Sequence, residues 1–354
     1  MCDRHPVTNE ASAQSPTTTP PEVDAYPIGM REIVAVAAML LMFVAAQVLS
    51  LVLLRPFTSA GVQGFEDPED PLNAVWLIGI ILVFTAIILW IARKKRERVI
   101  QWIILGSVGL TLIYVFFPLL LQIPGFERVH PDPNYRYIGS ILIAIPPAVV
   151  LTILLYKFPE WYVVDIVGVL VAAGSIAIFG SSFTPQIYVF VLIGLAVYDY
   201  ISVYKTKHML SLADSVLNYH LPIMLVVPKH LDYSFLDEST SLRKEADEPI
   251  VTPAATVAAD TKPIAVTATK KKPRDAMFLG LGDVVIPSIF ALTALQVSPL
   301  AAATSMMGVI AGFLFLMTFV LRGKPQAGLP ALNGGAFLGF LIGFYADTGT
   351  LVFW

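Results

Sequence analysis

Three acidic residues, Asp165, Asp199 and Asp283, lie within otherwise apolar runs of this sequence. An ionisable group inside a membrane span costs about 2.5–3.5 kcal/mol on insertion scales, so each is a candidate for function. Asp199 lies near the end of its run and Asp283 near the start of its own. At 1.5 Å per helical residue, both are expected roughly 8–9 Å below the same membrane surface, with Asp165 at a similar depth.

Two carboxylates at one level have a specific chemical use. Two like charges a few ångströms apart cannot both ionise, so the pair shares a proton. The ionised member can act as general base on a water molecule, while the protonated member donates to a carbonyl oxygen. This is the chemistry of aspartic proteolysis, which requires neither a metal nor a covalent intermediate, and we expect no cofactor. Spacing alone does not distinguish a catalytic pair from aspartates that only cap helices or form hydrogen bonds between helices.

The residues around Asp283 favour a site that admits water or a peptide. Gly280-Leu281-Gly282 precedes Asp283, and the two glycines allow a neighbouring helix or a substrate backbone to approach closely. Pro287, four residues after Asp283, has no N–H to offer the Asp283 carbonyl and should loosen the helix there. A glycine pair alone also suits ordinary helix packing.

The elements that position these acids are predicted to be membrane helices. Of the 354 residues, 56% are hydrophobic and 14% are charged, and the mean hydropathy is +0.73, which does not suit a soluble domain of this length. Runs long enough to cross ~30 Å of hydrocarbon follow one another. The predicted fold class is an all-α membrane protein with nine transmembrane helices, near 31–54, 73–92, 99–121, 138–156, 161–180, 185–204, 277–297, 299–321 and 328–352.

Composition excludes several other classes of protein. The net charge of −3 gives no indication of nucleic acid binding. The single cysteine, Cys2, rules out an intrachain disulfide. No HExxH motif is present, and the histidines lack metal-ligand spacing, which excludes the zinc intramembrane proteases. No Gly-x-Ser with a membrane histidine suits rhomboid-type serine catalysis.

Basic residues predict the orientation of the spans. The run Arg93-Lys94-Lys95-Arg96-Glu97-Arg98 joins the second and third spans and marks that loop as cytoplasmic. The other basic loops fall on the same side, at Lys205, Lys207, Lys270, Lys271, Lys272, Arg274, Arg322 and Lys324. The N-terminus is therefore expected in the cytoplasm and the C-terminus outside.

Four regions are predicted along the chain. Residues 1–28 form a disordered polar tail rather than a signal peptide, and 29–204 a six-helix membrane part that carries Asp199. Residues 205–276 form a cytoplasmic loop with a flexible linker at about 237–275. Residues 277–354 form a three-helix part that carries Asp283. The apolar stretch at 221–228 is too short to span and fits either a short strand or an interfacial segment; we favour a stretch on the membrane surface over a substrate-pairing edge.

Three motifs resemble those of one family. Tyr198-Asp199, Gly280-Leu281-Gly282-Asp283 and Pro330-Ala331-Leu332 resemble, in the same order and spans, the YD, GxGD and PAL motifs of presenilins and signal peptide peptidases. LGLGDVVIPSIF at 279–290 is similar to signal peptide peptidases. FPEWYVVDIVG, AVYDYISVYKTKHM and QAGLPALNGG are most similar to archaeal presenilin homologues. The resemblance extends over the membrane part.

The resemblance implies an intramembrane aspartyl protease of the cell membrane whose catalytic dyad is Asp199 and Asp283. Gly280, Leu281, Gly282, Pro330, Ala331 and Leu332 would bind substrate, and Tyr198 would pack behind the dyad. Asp165 is then expected to be a helix-contact or capping residue. The implied substrates are transmembrane segments or remnant signal peptides within the bilayer. Nothing in the sequence requires a partner subunit, and whether one is needed stays open.

A bound substrate is expected to unwind and to add a strand to an exposed backbone edge. Residues 274–279 are the preferred edge and 221–227 the second choice. The alternative function is a proton-coupled transporter or a leak channel that uses the same aspartates. A transporter would usually show related halves, and the sequence shows no internal repeat between spans one to six and spans seven to nine. A prepilin-type peptidase shares GxGD, but the PAL segment and the nine-span order argue against it.

Overall fold

The computed structural model describes residues 29–94, 96–123, 132–202, 224–228, 276–322 and 327–352. The predicted tail at 1–28, the linker at 237–275 and all five histidines lie outside the described residues. The described chain is mostly helical, with one small sheet.

Within these ranges there are nine α-helices, a single 3₁₀ turn and two strands. The helices are α1 Met30–Ser59, α2 Leu72–Arg93, α3 Glu97–Leu121, α4 Pro133–Lys157, α5 Trp161–Gly180, α6 Pro185–Ile201, α7 Leu281–Thr293, α8 Pro299–Val320 and α9 Gly328–Thr348. The strands are β1 Met224–Pro228 and β2 Ala276–Gly280, and the 3₁₀ turn is Ala294–Gln296.

Seven of these helices are long and apolar enough to cross a membrane. The two shorter apolar helices are α6 and α7 with its 3₁₀ extension, and they carry Asp199 and Asp283. Large apolar side chains such as Leu41 (70% exposed) and Leu142 (61%) cover the outer faces of the long helices. Hydrocarbon solvates such surfaces and water does not, so the chain is a multi-pass membrane protein.

Local sequence accounts for several helix ends. Ser298 caps α8 by accepting hydrogen bonds from the Leu300 and Ala301 amides, and Pro299 occupies the first helical position. Asp132 caps α4 in the same way through the Asn134 amide, at 2.8 Å. Gly349 ends α9 with a φ of 72°, a left-handed conformation that suits glycine.

The two candidate strand segments pair with each other. β1 and β2 form an antiparallel sheet in the register Met224↔Gly280 to Pro228↔Ala276. The surface-segment interpretation of 221–228 is wrong for the described part, since Leu225, Val226 and Val227 are buried. The expected helix start at 277 is also wrong: 276–280 is a strand, and α7 begins at Leu281.

The core is centred on α5, the most buried of the long helices. It packs against α1, α3, α4, α7 and β1, so it contacts both the sheet and the helix that carries Asp283. α8 and α9 approach closely at Gly308 and Gly335, where a Cβ on either residue would overlap the carbonyl oxygen of the other. This close contact fixes α9 beside α8.

Candidate active site

Asp199 lies near the C-terminal end of α6 and is buried, with 5% of its surface exposed. Its Oδ2 accepts a hydrogen bond from the Leu329 amide at 3.1 Å, and the Gly328 amide also bonds to this carboxylate. These are first-turn amides of α9, which have no partner within their own helix. The N-cap residue of α9, Ala327, offers no side-chain cap. Asp199 therefore caps α9 from another helix.

Asp283 lies in the first turn of α7 and is partly buried. A Cβ built on Gly328 would lie 3.2 Å from its carboxyl carbon and from both oxygens. A Cβ on Gly280 would lie 3.3 Å from Oδ2. The Asp283 carboxylate is thus bordered by two glycines, and it lies near enough to Asp199 for the two groups to interact electrostatically. The structure brings these two predicted residues together.

The PAL segment forms the first turn of α9. Pro330 is exposed, Ala331 is partly buried and Leu332 is fully buried. Since Pro330 has no N–H, it removes one of the unpaired amides at this helix end. The Ala331 carbonyl packs against α8, where a Cβ on Gly312 would lie only 2.6 Å from its oxygen.

Two predicted site residues have weaker contacts to this arrangement. The Tyr198 side chain is 38% exposed, although it precedes Asp199 directly. Gly282 is exposed, and a Cβ there would meet only the end of Ile286, at 3.9 Å. Of the two motif glycines, Gly280 is therefore the one that lies against the Asp283 carboxylate.

Several contacts hold α7 in place around Pro287. The Tyr188 hydroxyl donates to the Ile286 carbonyl at 3.2 Å, from α6. The Gln47 amide donates to the Ser288 hydroxyl at 3.2 Å, from α1, and both residues are buried. Beyond the helix, the Gln296 amide donates to the Phe183 carbonyl at 2.8 Å. These hydrogen bonds stabilise a helix that Pro287 interrupts one turn after Asp283.

Asp165 does not join the other two acids in the hydrogen bonds described. It is buried on α5, and its Oδ1 accepts a hydrogen bond from the Val226 amide of β1 at 2.7 Å. Asp165 was expected to be a helix-contact or capping residue, and the hydrogen bond described here joins α5 to a strand. A carboxylate satisfied by a strand amide has no signature in sequence spacing.

Sequence reasoning also missed Asn333, one turn after Leu329 on α9. Its Nδ2 donates to the Leu192 carbonyl of α6 at 3.0 Å, so it links the helices of the PAL segment and Asp199. Its Oδ1 is buried and has no partner among the described residues. The sequence signal for this contact was a polar residue directly after the PAL segment, within a mostly apolar helix. In the described ranges, no group of three His, Cys, Asp or Glu side chains is arranged to hold a metal ion.

A family model matches this chain, and solved structures are similar to it. The model for signal-peptide peptidase and presenilin aspartyl proteases matches residues 40–348. The chain belongs to this family. It is therefore an aspartic endopeptidase by class, built on a multi-pass membrane fold.

Two of these similar structures are of a presenilin family intramembrane aspartate protease, in C222 and P2 space groups. The first is 30% identical, with a TM-score of 0.57, and the match covers 87% of this chain and 98% of that one. The second is 32% identical, with a TM-score of 0.56, and the coverage is 86% and 96%. No curated protein sequence matches the chain.

Proposed function

We propose that this member of the presenilin and signal-peptide peptidase family hydrolyses peptide bonds within transmembrane segments or remnant signal peptides, with Asp199 and Asp283 as its catalytic dyad. The main support is the start of α9, which lies against both carboxylates: the Leu329 amide donates to Asp199, and Gly328 borders Asp283. A helix end that contacts both acids suits the role carried over to Pro330, Ala331 and Leu332, which is to admit and position substrate.

In the proposed reaction, the ionised member of the dyad takes a proton from a water molecule, which attacks the scissile carbonyl carbon. The protonated member donates to the carbonyl oxygen and stabilises the developing negative charge. When the tetrahedral intermediate collapses and the C–N bond breaks, the carboxyl group that took the proton from water gives it to the leaving amine, and the other carboxylate recovers a proton from a hydroxyl of the intermediate. The amides at the start of α9 keep the Asp199 carboxylate in position throughout.

The substrate is proposed to bind in extended form at β2, which leads directly into Gly280 and Asp283. β1 is a poor second choice, because β2 occupies one of its edges and Asp165 accepts from Val226 on the other. Gly280, Leu281 and Gly282 would then contact the substrate backbone beside the scissile bond. Tyr198 would act only by packing near the dyad.

The proposed orientation places the N-terminus in the cytoplasm and all nine helices across the membrane, with the dyad open to cytoplasmic water. Asp199 lies close to the end of α6 and Asp283 in the first turn of α7. Both acids therefore lie at helix ends that water can reach more readily than the hydrocarbon centre.

The deciding experiment compares the purified chain with Asp199→Asn and Asp283→Asn on a single-span type II substrate helix in detergent. We expect cleavage by the parent and by neither variant. Asn at 199 keeps an oxygen that can accept from the Leu329 amide, and Asn at either position has nearly the size of Asp. Both variants should therefore unfold near the parent temperature. Residual cleavage by both folded variants would rule out the dyad. No cleavage by a folded parent would favour a transporter or a required partner.

A further inference from the structure

The buried carboxylate of Asp165 has no part in the proposed chemistry, yet it makes a short hydrogen bond of 2.7 Å to the sheet. Its partner, Val226, is the central residue of β1 and faces Phe278 across the sheet. In an antiparallel pair, each residue directs its N–H and C=O to one side, and successive residues alternate. Val226 therefore directs its backbone groups away from β2, while Leu225 and Val227 direct theirs towards it.

A second contact fixes the same strand to the same face of α5. Gly168 lies one turn after Asp165, and a Cβ there would be 2.8 Å from the Cδ2 of Leu225. The next nearest atoms belong to Leu281, the first residue of α7. Leu225 is fully buried and lies opposite Leu279. The backbone and the side chains of β1 are thus both fitted to α5.

We propose that Asp165 is a positioning residue: it anchors the sheet to α5 and so sets the register in which a substrate strand on β2 meets the dyad. Few contacts separate Asp165 from the dyad, because β2 pairs with the anchored strand β1 and continues through Gly280 towards Asp283. A shift of β1 along α5 moves β2 with it, and a different peptide bond then lies at the carboxylates. This role rests on the proposed function.

The anchor is tested by hydrogen exchange of the full chain in detergent, with Asp165→Ala beside Asp165→Asn. Asn keeps an oxygen that accepts from the Val226 amide, whereas Ala removes it. We expect the segment that contains 224–228 to exchange about tenfold faster in Asp165→Ala, as follows from the loss of a buried hydrogen bond. The Asn variant and the α8–α9 segments should match the parent. Unchanged exchange at β1, or faster exchange everywhere, would overturn the anchor.

The effect on register is tested by mass spectrometry of the cleavage products. Asp165→Ala should move or spread the cleavage positions, and Asp165→Asn should cut where the parent does. Gly168→Ala should also alter the positions, whereas Gly106→Ala, whose Cβ meets no atom within 4 Å, should not. A loosened β1 with unchanged cleavage positions would overturn the register role. Asp283→Asn separates failure of the dyad assignment from failure of the anchor. This variant should abolish cleavage while the amides of β1 stay as protected from hydrogen exchange as in the parent.

Discussion

Among single residues, Gly328 shows how little space separates the start of α9 from the two acids. Its amide and that of Leu329 face Asp199, while the position that a Cβ would take on Gly328 faces the Asp283 carboxyl group. Any side chain at this position must share the space in which a scissile peptide and a water molecule are proposed to react.

Gly328→Ala is therefore expected to lower turnover about tenfold, because displacement of a reacting group by a few tenths of an ångström is costly. The matched control is Gly334→Ala on the same helix, where a Cβ would meet no atom within 4 Å. Initial cleavage rates and unfolding temperatures of both variants provide the check. Equal rates in the two variants would show that the space beside Asp283 is not critical.

The side chains of this site were predictable from the sequence, but their backbone partners were not. Asp199, Asp283 and the PAL segment have distinctive residue types at family spacing. The amide of Leu329 and the space at Gly328 carry no such signature, because every residue except proline offers an N–H. The partner of Asp165 was missed for the same reason: its donor is a backbone amide of a strand far along the chain.

Among the secondary structure elements, α7 depends most visibly on its neighbours. It has 13 residues and contains Pro287, so its own hydrogen bonds are few. The buried contact between Gln47 of α1 and Ser288 supplies part of its support.

A double-mutant cycle with Gln47→Met and Ser288→Ala should reveal this coupling. Removal of either partner leaves the other unpaired in a buried site, whereas removal of both does not. We expect the double variant to be more stable than the sum of the single variants predicts, by about 0.6–1.7 kcal/mol, as for other interhelical pairs in membranes. The free energies of unfolding in detergent measure the difference, and strict additivity would contradict the interaction.

At the strand before α7, the pattern of apolar residues in the sequence does not predict whether the segment is a strand or a helix. The apolar run from Ala276 continues into α7 without a polar break, so a buried strand and the first turn of a helix read alike. Its pairing with β1 was equally hidden, because residues 229–275 separate the two strands. Only the tertiary pairing with β1 distinguishes strand from helix here.

For the molecule as a whole, the hydrogen bonds require four helix ends to lie on one side. Asp165 near the start of α5 contacts the sheet that leads into α7, and Asp199 near the end of α6 contacts the start of α9. Helices that alternate in direction across a membrane meet this requirement, and the basic loops predict that this side is cytoplasmic.

Thiol labelling can test this orientation, since Cys2 is the single native cysteine. A membrane-impermeant maleimide applied to intact cells should leave Cys2 unmodified and should label Leu351→Cys in a Cys2→Ser background. Leu351 follows α9 and is 59% exposed. Broken cells, in which both positions are accessible, provide the control. The opposite labelling pattern would reverse the proposed topology.

The cap that Asp199 provides to α9 has a consequence for the timing of catalysis. A movement of α9 that widened the passage beside the PAL segment would stretch the bond between Asp199 and the Leu329 amide, which is 3.1 Å long in this structure. If Asp199 belongs to the catalytic dyad as proposed, the hydrogen bond that holds the start of α9 also holds an active-site carboxylate. Such an enzyme would be inactive while α9 is displaced and active again only when α9 returns to its contacts with the two acids.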